Sequence, residues 1–402
     1  MVNQSTSEKD KNKKEGEKEP FHMPLRIRLL ADNGEELLPE TVVELTQAKQ
    51  TFEFPNIKTK PVLSFLRGYS APVKVEIEQS AEELDCLIRH DNDPFVRWEA
   101  MQQRLLNILL FDYKLGKVTT QLPESVANLF EQMLIDAGQE DPAMLASLLS
   151  LPNESYLSSF CEPIDPQLLR KVRESFADLI AAHCEALFKA TYLKNHNLEY
   201  ELNGLEDGKR ELKSVCLSYL MRLNKTTYFD LARAQFDAVT NMTDSITALS
   251  CLVNSDYPDK ADVLDTFYAK WQDNALVLDK WLTVQASAKN ADTFDQVKAL
   301  FSHSAFSMKN PNKVRSLLGA FAQNSGAFHR ADATAYQFYA DRVLELDAIN
   351  PQVAARMVGV FNAWKSYTPE YADLMVKELT RIESHKDLSK DVREIVSKAL
   401  KH

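Results

Sequence analysis

Two arginines near the end of the chain occupy matching positions, each within the first two turns of a predicted helix. One segment reads N-P-N-K-V-R-S-L-L-G-A-F (310–321) and the other N-P-Q-V-A-A-R (350–356). In each, Asn is a suitable N-cap and Pro suits the first helical position, where no N–H is needed. Two consecutive helices of a stack would therefore present Arg315 and Arg356 near the same end. Arginine offers charge-assisted binding of oxygen atoms, but spacing alone also fits two ordinary surface arginines.

Motifs typical of enzymes are missing from the sequence. It contains no H-E-x-x-H, G-x-S-x-G, phosphate-binding loop or G-x-G-x-x-G. None of its eight histidines has a second histidine three to five residues away, so no zinc pair on one helix is predicted. His183 and Cys184 are adjacent and point to different faces of a helix, which favours core packing over a metal site. The sequence by itself predicts neither catalytic residues nor metal ligands.

Composition indicates a helix-rich, acidic protein. The 402 residues are 45% apolar and 26% charged, and ten of them are glycine, where average usage would be about 7%. Because glycine destabilises helix interiors, so low a content suits a helical fold. The formal net charge of −11 argues against a nucleic-acid partner, which normally requires a basic face.

Cysteine usage and hydropathy point to the cytoplasm. The five cysteines are odd in number, scattered and without a C-x-x-C pair, so we predict buried free thiols in a reducing compartment. No apolar run reaches the roughly 18 residues of a membrane span, and no signal-peptide core is visible. A cytoplasmic protein without a membrane partner is expected.

The chain divides into three stretches of different character. Residues 1–20 have almost no apolar side chains and nearly balanced charges, which predicts a flexible arm or loop. Residues 21–80 contain short alternating segments, including 51–54 and 73–77, that read as strands separated by Pro and a D-N-G turn, which predicts a small β-sandwich (immunoglobulin-like) unit. At about 60 residues this unit is shorter than a full immunoglobulin-type domain of roughly 100 residues. The unit is therefore expected either to lack a strand or to dock onto something else.

From residue 81 to 402 the hydrophobic period is helical. A long helix is predicted from Asp165-Pro166 to Tyr192, and later helices start at about Thr243, Asn274, Asn310 and Asn350. Most predicted helices have 10 to 20 residues and short connections, and alternate starts are spaced by about 35 to 40 residues, near the period of armadillo or HEAT-type helix pairs. No consensus repeat is visible. The fold class predicted is therefore mainly α, a C-terminal α-helical superhelix of armadillo/HEAT-like pairs preceded by a small, incomplete β-sandwich.

Six strings in one order carry a resemblance to a known family. They are Y-S-A-P-V-K (69–74), R-H-D-N-D-P-F-V-R-W-E-A (89–100), T-N-M-T-D (240–244), L-V-L-D-K-W (276–281), F-S-M-K-N-P-N-K-V-R-S-L-L-G-A-F (306–321) and N-P-Q-V-A-A-R (350–356). Together they resemble the C-terminal half of the bacterial aminopeptidase N family, zinc metallopeptidases of the gluzincin class. The resemblance covers nearly the whole chain, from about residue 20.

The resemblance implies a larger enzyme that removes N-terminal amino acids from peptides. Its front part would carry a thermolysin-like catalytic domain with G-x-M-E-N and H-E-x-x-H, and the zinc ion would be held there. This sequence has neither motif, so the chain is expected to hold no cofactor and to be inactive alone. The catalytic domain of the same enzyme and a peptide substrate are the expected partners.

The resemblance also implies roles for Arg315, Gln352 and Arg356. In such enzymes the helical domain closes over the catalytic cavity and supplies polar and basic side chains to the substrate channel. By motif position these three residues resemble that set, and guanidinium groups could hold a peptide's backbone carbonyls or C-terminal carboxylate. Arg315 could instead be an inter-helix strut. The rival hypothesis is a free-standing helical-repeat scaffold that binds a protein partner on its concave face.

Overall fold

The computed structural model describes residues 1–4, 20–197, 199–238 and 241–401. Its contacts divide the chain into two compact units, Met1–Ile108 with Ser147–Leu151 and Leu109–Ala146 with Pro152–His402. We call them the N-terminal unit and the helical unit. Most of the arm predicted over residues 1–20 lies outside the described residues.

Short antiparallel strands form the β part of the N-terminal unit. Their bounds are Val2–Asn3 (β1), Met23–Leu30 (β2), Glu36–Leu45 (β3), Lys49–Gln50 (β4) and Val62–Phe65 (β5). β2 lies between β3 and β5, and β1 pairs with β4. In β2, Leu25, Ile27 and Leu29 are buried in alternation with Arg26 and Arg28, so one face covers a core, as the period of two predicts.

The turn between β2 and β3 falls at the predicted D-N-G. Gly34 has φ +86°, and its N–H donates to the Ala31 carbonyl at 3.0 Å. A Cβ on Gly34 would lie 2.5 Å from a carbon of the His90 ring. Both the left-handed backbone and the close approach therefore require glycine at this position.

Two segments with strand-like alternation are not strands. Residues 51–54 and 73–77 are irregular, and Val75 and Ile77 are 40% and 42% exposed. Alternation records which side chains are apolar, but a strand also needs a neighbour for its backbone N–H and C=O groups. Among the described residues no strand pairs with either segment. The expectation of further strands there is wrong for this chain.

The R-H-D-N-D-P string has a structural role in the N-terminal unit. Asp91 accepts a 2.6 Å hydrogen bond from Arg67, which also donates to Glu40 at 2.8 Å and to Ser64 at 2.9 Å. Arg67 is 4% exposed, and its guanidinium is therefore neutralised inside the fold. Asp93 accepts from the Gly68 N–H at 2.8 Å, which holds the turn after β5.

Helices make up most of the rest. Their bounds are Ala81–His90 (α1), Pro94–Lys114 (α2), Glu124–Ile135 (α3), Pro142–Leu149 (α4), Glu154–Ser158 (α5), Pro166–His183 (α6), Glu185–Lys194 (α7), Gly204–Met221 (α8), Thr226–Ala238 (α9), Met242–Val253 (α10), Lys260–Trp271 (α11), Ala275–Ala286 (α12), Thr293–Leu300 (α13), Pro311–Val314 (α14), Ala320–Ala322 (α15), Ser325–Phe328 (α16), Thr334–Asp347 (α17), Pro351–Val358 (α18), Pro369–Glu383 (α19) and Lys390–Lys401 (α20). The mainly α fold class is confirmed.

Side-chain caps explain why many helices begin at the predicted residues. The Asn241 side chain accepts from the Asp244 N–H at 2.8 Å at the start of α10, and the Asn274 side chain accepts from the Val277 N–H at 3.2 Å at the start of α12. Asp165 caps α6, with Pro166 at the first helical position. Each cap satisfies N–H groups that the first turn leaves without a partner.

The helix predicted to run from Asp165 to Tyr192 is broken. Cys184, with φ −97° and ψ 16°, leaves the helical conformation between α6 and α7. Buried side chains at Ile180, Cys184, Phe188 and Tyr192 keep a spacing of four across the break. The hydrophobic period therefore continues although the backbone does not, and the sequence pattern hides the interruption.

Packing in the middle of the helical unit joins helices that are consecutive in the chain. Each of α7 to α12 contacts the next helix in sequence. Alternate helices also touch, as in α6 with α8, α8 with α10 and α10 with α12. Such contacts between alternate helices are typical of stacked helix pairs. In the described part of the chain, no helix combines the length and apolarity needed to cross a membrane.

Candidate functional site

The first Asn-Pro segment forms a short helix that continues into a wider turn. The Asn310 side chain accepts from the Asn312 N–H at 2.9 Å, and Pro311 opens α14, as predicted. From Arg315 to Gly319 the backbone is π-helical before α15 begins. Single π turns inside α-helices are frequent at functional sites. The sequence gives no sign of this change of helix type.

Lys313 fixes this segment against α12. It is 6% exposed, and its ammonium lies 2.9 Å from the Asp279 carboxylate and donates to the Ala275 carbonyl at 2.8 Å. These contacts join two of the segments that carry the family resemblance, L-V-L-D-K-W and N-P-N-K-V-R. Lys313 therefore has a structural role.

Arg315, two residues later, is exposed. Its guanidinium donates to the Asn312 side chain at 2.9 Å. We find no carboxylate partner for it among the described residues. A cation held only by a neutral neighbour is free to bind an oxygen of another molecule.

The second Asn-Pro segment presents two polar side chains on one face. The Asn350 side chain caps α18 by accepting from the Val353 N–H at 3.2 Å. Gln352 and Arg356 are both exposed and lie one turn apart, so they share a face. Neither side chain forms a hydrogen bond or ion pair with any part of the chain that the structure describes. Val353 and Met357 are buried and anchor the helix.

Gly319 shows that the two segments lie close together. A Cβ on this residue would be 3.9 Å from the Arg315 Cβ and 3.9 Å from the Met357 Cε. The Met357 side chain of α18 therefore reaches the π turn at Gly319, one turn after Arg315. The two segments meet at Gly319, and we define Arg315, Gln352 and Arg356 as the candidate channel surface.

The chemistry that this surface can perform is binding. Within residues 1–4, 20–197, 199–238 and 241–401, no group of three or more His, Cys, Asp or Glu side chains could hold a metal ion. Zinc would have no ligand set at the candidate channel surface. Arginine and glutamine there offer hydrogen-bond donors to carbonyl or carboxylate oxygens, and no nucleophile accompanies them.

The cysteines do not supply a nucleophile either. All five are buried and free, as predicted. Burial raises the pKa of Cys161 to about 11 and the pKa of Cys184, Cys216 and Cys251 to about 12. At neutral pH these thiols stay protonated and unreactive.

A cluster of charges around Glu174 on α6 corresponds to no motif in the sequence. The Glu174 carboxylate accepts from Arg173 at 2.9 Å, from Arg222 at 2.9 Å and from Lys289 at 2.7 Å. Although burial opposes ionisation, these cations lower the pKa of Glu174 to about 2. The three cations are far apart in sequence, and no local pattern could have indicated that they meet.

Family models cover almost the entire chain. Residues 81–401 match DUF3458_C, a domain of unknown function described as ARM repeats, and residues 1–78 match DUF3458, described as an Ig-like fold. The chain belongs to the DUF3458_C family. The Ig-like and ARM-repeat descriptions agree with the β-sandwich and helix pairs predicted from sequence.

Curated relatives and a solved structure give the context of these domains. The chain is 34% identical over 399 residues to aminopeptidase N of Escherichia coli, covering 96% of the chain and 45% of the relative. It is 36% identical over 376 residues to aminopeptidase N of Caulobacter vibrioides, covering 93% and 43%. A structure of Legionella pneumophila aminopeptidase A in complex with aspartic acid has a TM-score of 0.85 and 30% identity, covering 94% of this chain and 45% of that chain.

These relatives confirm the resemblance to the aminopeptidase N family. The chain is homologous to the C-terminal part of aminopeptidase N and spans less than half the length of the relatives it matches.

Proposed function

We propose that this chain is the non-catalytic C-terminal portion of a zinc aminopeptidase, and that it closes the cavity in which N-terminal residues are removed from peptides. The observation that supports this proposal is the candidate channel surface. Arg356 and Gln352 extend from a helix whose opposite face is buried, and Met357 of that helix reaches the turn that begins with Arg315. Polar groups without partners in the described chain suit a surface that contacts a peptide.

The proposed ligand is the part of a peptide beyond the bond that is cut. Arg356 and Arg315 would donate charge-assisted hydrogen bonds to backbone carbonyls or to a C-terminal carboxylate, and Gln352 would add a neutral donor. The zinc ion and its general base would belong to the catalytic domain that precedes this region in the relatives. A cytoplasmic location fits the buried free thiols.

The irregular segments of the N-terminal unit support a partner within the same enzyme. Residues 73–77 expose Val75 and Ile77, and no strand in the described part of the chain pairs with this segment. Exposed apolar side chains beside unpaired backbone are typical of a surface that another segment covers. We propose 21–80 as the β-sandwich unit and 81–402 as the helical domain of such an enzyme, following an arm or loop at 1–20.

A fusion enzyme tests this proposal. It joins the part of the E. coli relative that this chain does not match to residues 1–402, and it should hydrolyse both an alanyl anilide and alanyl tripeptides. Arg356→Ala should raise KM for the tripeptides by about tenfold, the loss expected for one charge-assisted hydrogen bond, and leave KM for the anilide nearly unchanged. The anilide has no carboxylate beyond the cleaved bond and serves as the internal reference.

Arg393→Ala in α20 is the matched control. Arg393 is also an exposed arginine, and its contacts are two 3.4 Å hydrogen bonds to backbone carbonyls. Its loss should change neither KM. Equal effects of Arg356→Ala on both substrates would make Arg356 structural. A fusion that folds but hydrolyses nothing would favour a free-standing scaffold.

A further inference from the structure

A cleft lies in the helical unit at the charge cluster around Glu174. Its volume is about 420 Å³, within the range of small-molecule sites. The charged side chains that line it are Arg170, Arg173, Lys289 and Glu154. The lining is thus mostly cationic, in a chain whose formal net charge is −11.

The carboxylate of Glu174 does not neutralise its neighbours completely. It is shared by Arg173, Arg222 and Lys289, and Arg222 has a further contact at 2.8 Å with Asp178. Burial lowers the pKa of Lys289 in spite of its contact with Glu174, and the nearby guanidinium groups lower it further. Burial and the neighbouring guanidinium groups thus outweigh the attraction of the Glu174 carboxylate for this ammonium.

Arg170 has no carboxylate partner among the residues that the structure describes. Its guanidinium donates to the Asn324 side chain at 3.0 Å and to the Lys289 carbonyl at 3.3 Å, both neutral acceptors. Asn324 is held in turn by the Ala286 and Ala288 carbonyls, at 3.0 and 2.7 Å. The guanidinium is thus fixed in place at the cleft without a counter-charge.

Gly326 makes this placement possible. A Cβ at this position would lie 1.7 Å from Nη1 of Arg170 and 2.3 Å from its Cζ. Any larger residue would displace the guanidinium from the turn of α16. The absence of a side chain at Gly326 therefore leaves room for an arginine that forms no ion pair within the described residues.

Neutral donors complete the lining. Ser155, Ser287, Gln323 and Ser325 line the cleft, and their side chains form no hydrogen bond within the described part of the chain. Hydroxyl and amide donors beside guanidinium groups are the usual complement of carboxylate and phosphate oxygens.

We propose that this cleft binds a small oxyanion, a carboxylate or phosphate compound, through Arg170, Lys289 and the neighbouring hydroxyl and amide donors. The site is distinct from the candidate channel surface of Arg315, Gln352 and Arg356 and does not depend on the proposed function. It uses only residues of the helical unit.

Calorimetric titration of the 402-residue chain tests the site with two probes, inorganic phosphate and succinate, each at ionic strength matched with potassium chloride. At least one probe should bind saturably with one site per chain. Arg170→Gln and Gly326→Ala should each weaken that binding by about tenfold or more, because each removes the fixed guanidinium. Gly326→Ala does so without changing the charge of the chain.

Gly204→Ala is the control, since a Cβ there would meet nothing within 4 Å. It should bind as the unmodified chain does.

Ser287→Ala leaves every ion pair intact and should weaken binding. This variant keeps the test valid if Arg170→Gln does not fold. Preference for phosphate or for succinate distinguishes the two classes of ligand. Absence of saturable binding of both probes, or equal binding by Gly326→Ala and the unmodified chain, would overturn the proposal.

Discussion

Two basic residues in the segment after Asn310, Lys313 and Arg315, have different surroundings. Lys313 is buried against Asp279, while Arg315 is exposed and bonded to a neutral amide. Lys313→Met should lower the free energy of unfolding by about 3 kcal/mol, because it leaves the Asp279 carboxylate without its cation. Arg315→Met should change it by no more than about 0.5 kcal/mol. Urea titrations of the two variants at pH 7 measure both quantities, and equal losses would place Arg315 in an inter-helix contact.

His329 should make the chain sensitive to mild acid. It is 6% exposed, its Nδ1 lies 2.6 Å from the Tyr336 hydroxyl, and burial lowers its pKa from 6.5 to about 3. The folded chain binds fewer protons than the unfolded chain between these values, so stability is full above pH 6.5 and falls as the pH drops toward 3. At pH 5 the loss is about 2 kcal/mol.

His329→Asn isolates this effect, because asparagine can keep a polar atom near the Tyr336 hydroxyl but does not titrate. Thermal midpoints from pH 7 to pH 5 should fall more steeply for the unmodified chain than for the variant. The surrounding tyrosines Tyr336, Tyr367 and Tyr371 do not titrate in this range, because burial raises the pKa of each. Parallel curves for the two proteins would show that His329 is protonated in the folded state.

At the level of elements, caps were predictable and backbone irregularities were not. Asn310, Asn350 and Asp165 cap helices where the sequence places them, because capping depends on one side chain and its nearest N–H groups. The π turn after Arg315 and the break at Cys184 leave the apolar period unchanged, so no local signal indicates them. Residues 73–77 have a strand pattern, but no strand among the described residues pairs with them, and strand partners are not encoded locally.

Gly208 should control how closely α8 approaches α4. A Cβ there would lie 2.9 Å from the Ala143 backbone nitrogen, whereas a Cβ on Gly204 of the same helix meets nothing within 4 Å. Both Gly→Ala changes raise helix propensity by about 1 kcal/mol. Gly208→Ala should nevertheless be less stable than Gly204→Ala by about 1–3 kcal/mol, because the backbone must move. Thermal melts compare the two variants directly, and equal midpoints would show that α4 yields without cost.

At the scale of the whole molecule, sequence motifs identify one set of candidate residues, and the folded structure identifies contacts that no motif indicates. The three residues of the candidate channel surface were found by motif. The contact between the Arg315 turn and α18 is seen only in the structure, where Met357 lies against Gly319. The cleft at Glu174 had no motif, because α6, the end of α8 and the loop after α12 supply its charges from positions up to 115 residues apart. Helix stacking brings such groups together, and spacing within one helix cannot indicate it.

Zinc should distinguish this chain from the larger enzyme to which its relatives belong. Equilibrium dialysis of the isolated chain should show no stoichiometric zinc, and an alanyl anilide should not be hydrolysed with or without zinc, because the described residues include no group of metal ligands and the buried thiols stay protonated. The fusion enzyme should hold one zinc ion per molecule and lose its activity on chelation. If the isolated chain gave zinc-dependent hydrolysis that survived repurification, its chemistry would have to come from residues of this chain, and the division between a catalytic front and a substrate-binding C-terminal portion would fail.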